Sequence, residues 1–496
     1  MVGLEQIVRQ VDGKHEVFTA LSDRIWQLAE IRFHEHKSVE SHLAVLEEEG
    51  FRIARNLAGL ETAFMAESGR GGPVIAFLGE YDGLAGLSQE AGVARPATST
   101  PGAVGHGCGH NLLGAGAALA AVALRNCLMS AGINGTVRFY GCPAEEGGSG
   151  KTFMARAGVF DDVDAAVSWH PGCFAAVMSR SSLANFQVYW RFVGRASHAA
   201  GAPHLGRSAL DAVELMNIGA NFLREHMPGN ARVHYSITDA GGVSPNVVQP
   251  RAEVLYLIRA PEVGQARALF DRVRKIADGA ALMSETDVEF EIDKACSNIV
   301  PNLTLAGAMH ENLTHVGAVP FDARDVAFAE EIRKTLTPDH IAHSIESYGT
   351  PDAASAVLYG TPVPLDRTPR LIGGSTDVGD VSWIVPTVQM WGACFAVGTP
   401  GHSWQLVAQG MSPAAHKGMV HAAKVMAATA LDLIRDPDLL QRAKAELKER
   451  IGGDGYRCPI PDEVVAPPLR AAGRHNAIDA QRPHQAKLPG YHPRGG

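Results

Sequence analysis

Four short segments carry side chains able to hold a metal ion. They are His106-Gly107-Cys108-Gly109-His110-Asn111, Cys142-Pro143-Ala144-Glu145-Glu146-Gly147-Gly148, Ser168-Trp169-His170-Pro171-Gly172 and Gly398-Thr399-Pro400-Gly401-His402-Ser403. A thiolate and an imidazole two positions apart suit a borderline-soft divalent ion such as zinc. The flanking glycines let the backbone wrap closely around them. Taken singly, each segment has a plainer reading: a lone buried cysteine is usually inert, and a lone histidine is usually a hydrogen-bonded polar residue. Together, and with the paired Glu145-Glu146, they point to a metal centre. Adjacent glutamates on an extended or turn backbone diverge, so one can hold a metal while the other faces the attacking water. That second carboxylate can take the water's proton and pass it to a leaving nitrogen. The rival reading is a solvated acidic pair. The apolar strand before it and Gly147-Gly148-Ser149-Gly150 after it argue against that.

The elements that must position these groups follow from periodicity. Residues 15–34 and 39–49 read as helices, the second with Ser38 as N-cap and Gly50 as its stop. Val74-Ile75-Ala76-Phe77-Leu78 is a continuous apolar run, suited to a strand buried on both faces. A Gly/Pro/Ser/Thr-rich loop covers about 83–107, a small-residue helix 112–129, and strands 136–140 and 165–169. Strands alternating with helices predict an α/β fold whose sheet, mixed in direction, is covered by helices. Three of the four candidate segments then fall at carboxyl ends of strands, where open α/β sheets place ligands.

The pattern changes near 183. Phe186 to Phe192 alternates with period two, as a strand with one solvated face does. A helix at 207–226, strands at 232–238 and 252–259, a helix at 262–282 and a strand at 287–292 complete a βαββαβ-like unit. We therefore divide the chain into a first catalytic segment 1–182, an inserted α+β unit 183–297, a second catalytic segment 298–462 and an unstructured tail 463–496. Helices are expected at 303–315, 322–335 and 414–434.

Composition narrows the function classes. The 496 residues carry 44 basic and 53 acidic side chains, a net charge of −9, with no dominant basic patch. That disfavours nucleic acid and anionic membranes as partners. The longest apolar stretch, Leu112 to Leu124, is shorter than the roughly 20 residues that span a bilayer. The charged N-terminus does not read as a secretory signal. Seven cysteines at no framework spacing suggest reduced thiols in a cytoplasmic protein.

Gly79-Glu80-Tyr81-Asp82-Gly83-Leu84, Gly105 to Asn111 and Pro143 to Gly148 resemble the M20 metallopeptidase/amidohydrolase family, and within it the p-aminobenzoyl-glutamate hydrolase branch. Arg195 to Ala200, Pro245 to Val248, Gly374 to Asp380 and Gly398 to His402 extend the resemblance over about residues 15–465. It implies a di-metal catalytic domain and a smaller lid that also forms a homodimer. It points to Cys108, His110, Glu146, His170 and His402 as ligands of two divalent ions, zinc or manganese, and to Glu145 as general base and acid. It implies that His198 reaches a substrate carbonyl in the partner subunit's site. Asn246 and Arg259 match lid positions that hold a substrate carboxylate. The chain departs from auxin-conjugate and hippurate hydrolases in having Asn111 where they carry Asp, and Glu80-Tyr81-Asp82 where they carry Asp-x-Asp.

The expected reaction is hydrolysis of the amide of an N-acyl amino acid such as p-aminobenzoyl-glutamate. Alternatives are another aromatic amide, N-acyl amino acid or dipeptide as substrate, or a non-catalytic binding protein on the same scaffold. A related second subunit is a further expected partner.

Overall fold

The protein is described from a computed structural model covering residues 3–348, 351–368, 371, 373–453 and 455–466. Strands β1 (Arg52–Arg55), β2 (Phe64–Arg70), β3 (Val74–Gly79), β4 (Gly135–Gly141), β5 (Ala165–Gly172) and β6 (Phe174–Met178) precede an inserted set. The set comprises β7 (Ala184–Val193), β8 (Arg232–Asp239), β9 (Arg251–Ala260) and β10 (Asp287–Cys296), and β11 (Tyr359–Pro362) and β12 (Thr387–Ala393) follow it. Eight strands form one mixed sheet in the order β1-β2-β4-β3-β5-β12-β6-β11. The apolar run of β3 sits near its middle, hydrogen-bonded in parallel to β4 and β5, with Ile75, Ala76, Phe77 and Leu78 fully buried. Its burial on both faces explains why the run lacks polar alternation.

One face is covered by helices His110–Ala131 and Pro413–Arg435, and helix Leu4–Leu28 packs on both of them. The helix His110–Ala131 is almost wholly buried because it is built from small residues. An added Cβ at Gly114 would lie 2.6 Å from the Glu80 carbonyl oxygen, and one at Gly116 would lie 2.8 Å from the Trp169 ring. The stretch 112–124 thus belongs to a 22-residue helix long and apolar enough to cross a membrane, but 83% of its most apolar window is buried inside the fold.

The remaining four strands form an antiparallel sheet in the order β10-β7-β9-β8. Helices Ala209–Leu223 and Val263–Ser284 cover one face of it. Phe186, Val188, Trp190, Tyr256 and Ile258 alternate inward against Val213, Met216, Phe270 and Val273. The expected period-two pattern and the β-α-β-β-α-β order are both present.

Two local expectations are corrected. The first helix spans Leu4–Leu28, earlier than 15–34, and ends at Ala29 with φ 42°. Ile7, Val11, Phe18, Leu21 and Ile25 give it one continuous buried stripe. Ser38 is not an N-cap. Its helix, His36–Glu48, starts earlier, and the Glu30 carboxylate accepts from the Lys37 and Ser38 amides and the Ser38 hydroxyl. A cap supplied from seven to eight residues away is invisible to a local reading. Residues 456–464 dock against the fold, where Arg156 donates to the Pro461 and Val464 carbonyls and Arg267 to that of Pro459. The tail beyond 466 lies outside the described residues.

Candidate metal centre

The carboxyl ends of β3, β4 and β5 converge with the start of helix His110–Ala131. Gly109, with φ 80°, makes the turn into that helix. A Cβ there would lie 2.7 Å from Pro171 Cγ, so a side chain is excluded on both counts. Cys108 Sγ thereby comes within 3.4 Å of His170 Nε2 on β5. Three sets of potential ligand atoms each lie within 4.8 Å of one another: Cys108, His110 and His170; Cys108, Glu146 and His402; and Glu80, His110 and Glu145.

The glutamate pair leaves β4 through Ala144, a non-glycine residue at φ 61°. That turn is held by the Ala144 amide donating to the buried Glu35 carboxylate at 2.8 Å and by the Gly148 amide donating to the Ala144 carbonyl at 2.8 Å. The side chains then part. Glu146 Oε2 lies 3.3 Å from His402 Nε2, whereas Glu145 Oε2 lies 3.9 Å from His110 Nε2. His402 itself is fixed by its amide donating to the Gly107 carbonyl, which joins the fourth segment to the first.

The protonation tendencies of the pair diverge as well. Burial, then the charges of Glu80 and Glu146, push Glu145 well above the usual carboxylate range. Burial works in the same direction on Glu146, but His402, His110 and Lys294 outweigh it and hold it at about 2. Burial pushes the Cys108 thiol upward, and burial together with the His110 charge lowers His170 to about 4.

Asp82 organises the centre from below. Its Oδ1 sits 2.9 Å from His110 Nδ1, and its Oδ2 accepts from the Glu146 amide at 2.9 Å. A carboxylate on Nδ1 leaves Nε2 as the inward-facing nitrogen, the usual arrangement behind a ligating histidine. Glu146 Oε1 is buried here with no hydrogen-bond partner among the described residues, and His110 Nε2 faces the Glu80 and Glu145 carboxylates at 3.2 and 3.9 Å. An orphaned carboxylate oxygen beside a thiol, imidazoles and crowded carboxylates is what a cation-binding set presents. The residues fit divalent ions.

Sequence reasoning quoted Glu80, Asp82 and Asp377 only within motifs and gave Lys151 and Glu35 no role. Lys151 Nζ lies 2.6 Å from both Glu80 Oε1 and Asp377 Oδ1, all three side chains being buried. The available signal was the placement of Glu80 and Asp82 directly after the buried strand β3. Asn111 lies beside His110, yet its amide donates to Ser22 Oγ and the Gly410 carbonyl, tying together three parts of the chain.

The candidate residues of the inserted unit are placed differently. Arg259 on β9 donates to Ser375 Oγ at 3.0 Å and interacts electrostatically with Glu145. His198 is exposed, and its Nδ1 accepts from the Ala200 and Gly201 amides, so Nε2 carries the proton of the neutral ring. Among the described residues no hydrogen bond or ion pair joins His198 or the Asn246 side chain to the cluster. Asn246 is exposed, and its carbonyl accepts from the Ala199 amide. The junction between the two sheets is tied by Arg32 to Asp293 and by Lys294 Nζ donating to the Glu146 carbonyl at 2.9 Å.

A mixed α/β sheet thus carries the Glu145 carboxylate beside a thiol–imidazole–carboxylate cluster, and with the family match the chain is a hydrolase acting on amide bonds. The chain belongs to Peptidase family M20/M25/M40, whose model matches residues 76–461. It is 51% identical over 481 residues to one of the p-aminobenzoyl-glutamate hydrolase subunits of Escherichia coli (strain K12), covering 94% of this chain and all of the relative. It is 31% identical over 455 residues to Xaa-Arg dipeptidase of Mus musculus, covering 88% of this chain and 90% of the relative. In fold it resembles the crystal structure of an aminobenzoyl-glutamate utilization protein from Klebsiella pneumoniae, with a TM-score of 0.58 at 19% identity over 87% of this chain and 98% of that one.

Proposed function

We propose that the protein hydrolyses the amide of an N-acyl amino acid such as p-aminobenzoyl-glutamate. The observation that carries this reading is the split of the glutamate pair. Glu146 is turned to His402 and Cys108, and Glu145 is left beside His110 with a high proton affinity. The substrate follows the relative that is 51% identical over its whole length.

Cys108, His110, Glu146, His170 and His402 are the proposed ligands of two divalent ions, zinc or manganese. Once bound, such ions polarise a carbonyl and lower the pKa of water. Glu145 takes the proton of the attacking water and delivers it to the departing nitrogen. His198 donates from Nε2 to the developing oxyanion, and Asn246 and Arg259 hold the substrate carboxylate.

His198 is exposed and far in sequence from the ligands. We therefore read residues 183–297 as a lid and dimerisation domain between catalytic segments 1–182 and 298–462, with His198 serving the partner subunit's site. A related second subunit fits the Escherichia coli relative, whose hydrolase has more than one kind of subunit. Seven unpaired cysteines suit the reducing cytoplasm.

The test is turnover on a panel of aromatic amides, N-acyl amino acids and dipeptides, with metal content measured alongside. Release of an amino acid from p-aminobenzoyl-glutamate, lost on chelation, is the expected result, as is lower metal content in Cys108→Ala. Stoichiometric metal with no turnover on any amide would overturn it.

A further inference from the structure

The open face of the four-stranded sheet carries two arginines of opposite circumstance. At one end, Arg191 on β7 is flanked by Glu253 on β9 at 2.7 Å and by Glu291 on β10 at 2.5 Å. That is the ordinary way to hold a cation on a sheet: acids opposite it on the neighbouring strands. At the other end, Arg259 on β9 stands opposite Asn185 on β7 and Arg232 on β8. A like charge directly opposite is unfavourable. Among the described residues no carboxylate lies within ion-pair distance of either guanidinium.

The hydrogen-bond partners of this pair are all uncharged. Arg232 is exposed, and among the described residues it donates to the backbone carbonyls of its own turn, Gly229 and Ala231, and to no side chain. His234, two residues along β8 and so on the same face, has its pKa lowered by burial first and then by the charges of Arg259, Arg224 and Arg232. On the other side of Arg259, the Asn185 side chain is 2% exposed and its Oδ1 has no hydrogen-bond partner. Asn185, Arg259 and Arg232 thus form a row across three adjacent strands. Its Arg259 member is bonded to Ser375 and interacts with Glu145, so that arginine is the one nearer the catalytic centre. The Arg232 backbone lies one strand further out, about 5 Å from that of Arg259, so the two side chains rise from neighbouring positions as the two carboxylates of glutamate do from one carbon chain.

We propose that Arg232 is a specificity-determining residue that receives the side-chain carboxylate of a dicarboxylic amino acid whose α-carboxylate lies on Arg259. This rests on the amide-hydrolase reading above and deepens it: the leaving amine is acidic and carries two anions. A charged ligand group supplies the counter-charge that the fold withholds from Arg259 and Arg232 but gives to Arg191.

The experiment compares N-(4-aminobenzoyl)-L-glutamate with N-(4-aminobenzoyl)-L-glutamine, which has the same size and lacks the second charge. Wild-type protein is expected to favour the glutamate compound in kcat/KM by about tenfold to a hundredfold, the range for a hydrogen bond to a charged group. Arg232→Gln should remove that preference by lowering kcat/KM for glutamate alone, leaving the glutamine compound within about twofold, and Arg232→Lys should restore part of it. Equal rates for both compounds with wild-type protein, or an equal fall for both in Arg232→Gln, would overturn the assignment. Failure of wild-type protein on both compounds and on the wider amide panel would instead overturn the parent reading, and this inference with it.

Discussion

Replacing Lys151 by Met tests how the centre tolerates its crowded carboxylates. The ammonium sits 2.6 Å from Glu80 Oε1 and 2.6 Å from Asp377 Oδ1, and all three side chains are at most 2% exposed. Burial works against the ammonium, but Asp377 and Glu80 outweigh it and hold its pKa well above the usual lysine range. Methionine matches the aliphatic stem and removes only the charge. Asp377 keeps the Lys151 backbone amide at 2.8 Å, whereas Glu80 is left with His110 alone. Breaking a buried pair by removing one partner costs about 3–5 kcal/mol, because the remaining charge is stranded. Unfolding entropy is about 2.1 cal/mol/K per residue, so a chain of this length loses roughly 3–5 °C in melting temperature. The assay is thermal unfolding of Lys151→Met followed by circular dichroism, beside the double variant Lys151→Met/Glu80→Gln. The double variant should recover part of the loss, since a neutral amide needs no counter-ion. A Lys151→Met protein that melts with the wild type, or a double variant less stable than the single one, would refute the reasoning.

Glu145→Gln is expected to keep its metal content and lose about 10²–10⁴-fold in turnover, the weight of acid–base catalysis. Glu146→Gln should lose metal affinity first, as equilibrium dialysis against a chelator would reveal. Stability should fall as pH drops from about 6.5 to about 4, because burial pushes His42 and His421 down to about 4 in the folded chain. A folded pKa below the unfolded one gives stability that is present above pH 6.5 and lost on acidification, and His421→Gln should flatten part of that slope in melts taken across this range. Mixing inactive His198→Ala with inactive Glu145→Gln under subunit exchange should restore about a quarter of wild-type activity if sites are shared. Confirmed exchange without recovery would assign His198 to its own chain or to no catalytic role.

The sequence by itself determined the elements whose residues repeat. The run Val74 to Leu78 suited a strand buried on both faces, and the alternation from Phe186 to Phe192 suited one with a single covered face. Gly109, Cys108 and His110 were legible as a turn carrying candidate ligands because glycine spacing and donor type are local properties. So was the divergence of Glu145 and Glu146. What the sequence left silent is what depends on partners far along the chain. Lys151 finds Asp377 across 226 residues, and Arg32 finds Asp293 across 261. Glu35 reaches the Ala144 amide across 109 residues and thereby sets the turn that aims both glutamates. The start of the helix at His36 was misjudged for the same reason, since Glu30 supplies its cap from outside the segment. Periodicity records which face of an element is buried, because burial acts on every residue of that face. A single long-range ion pair leaves no period, and burying a charge is tolerable only where folding delivers its counter-charge, so tertiary structure alone decided which carboxylates of this chain are paired, which are orphaned, and where they meet.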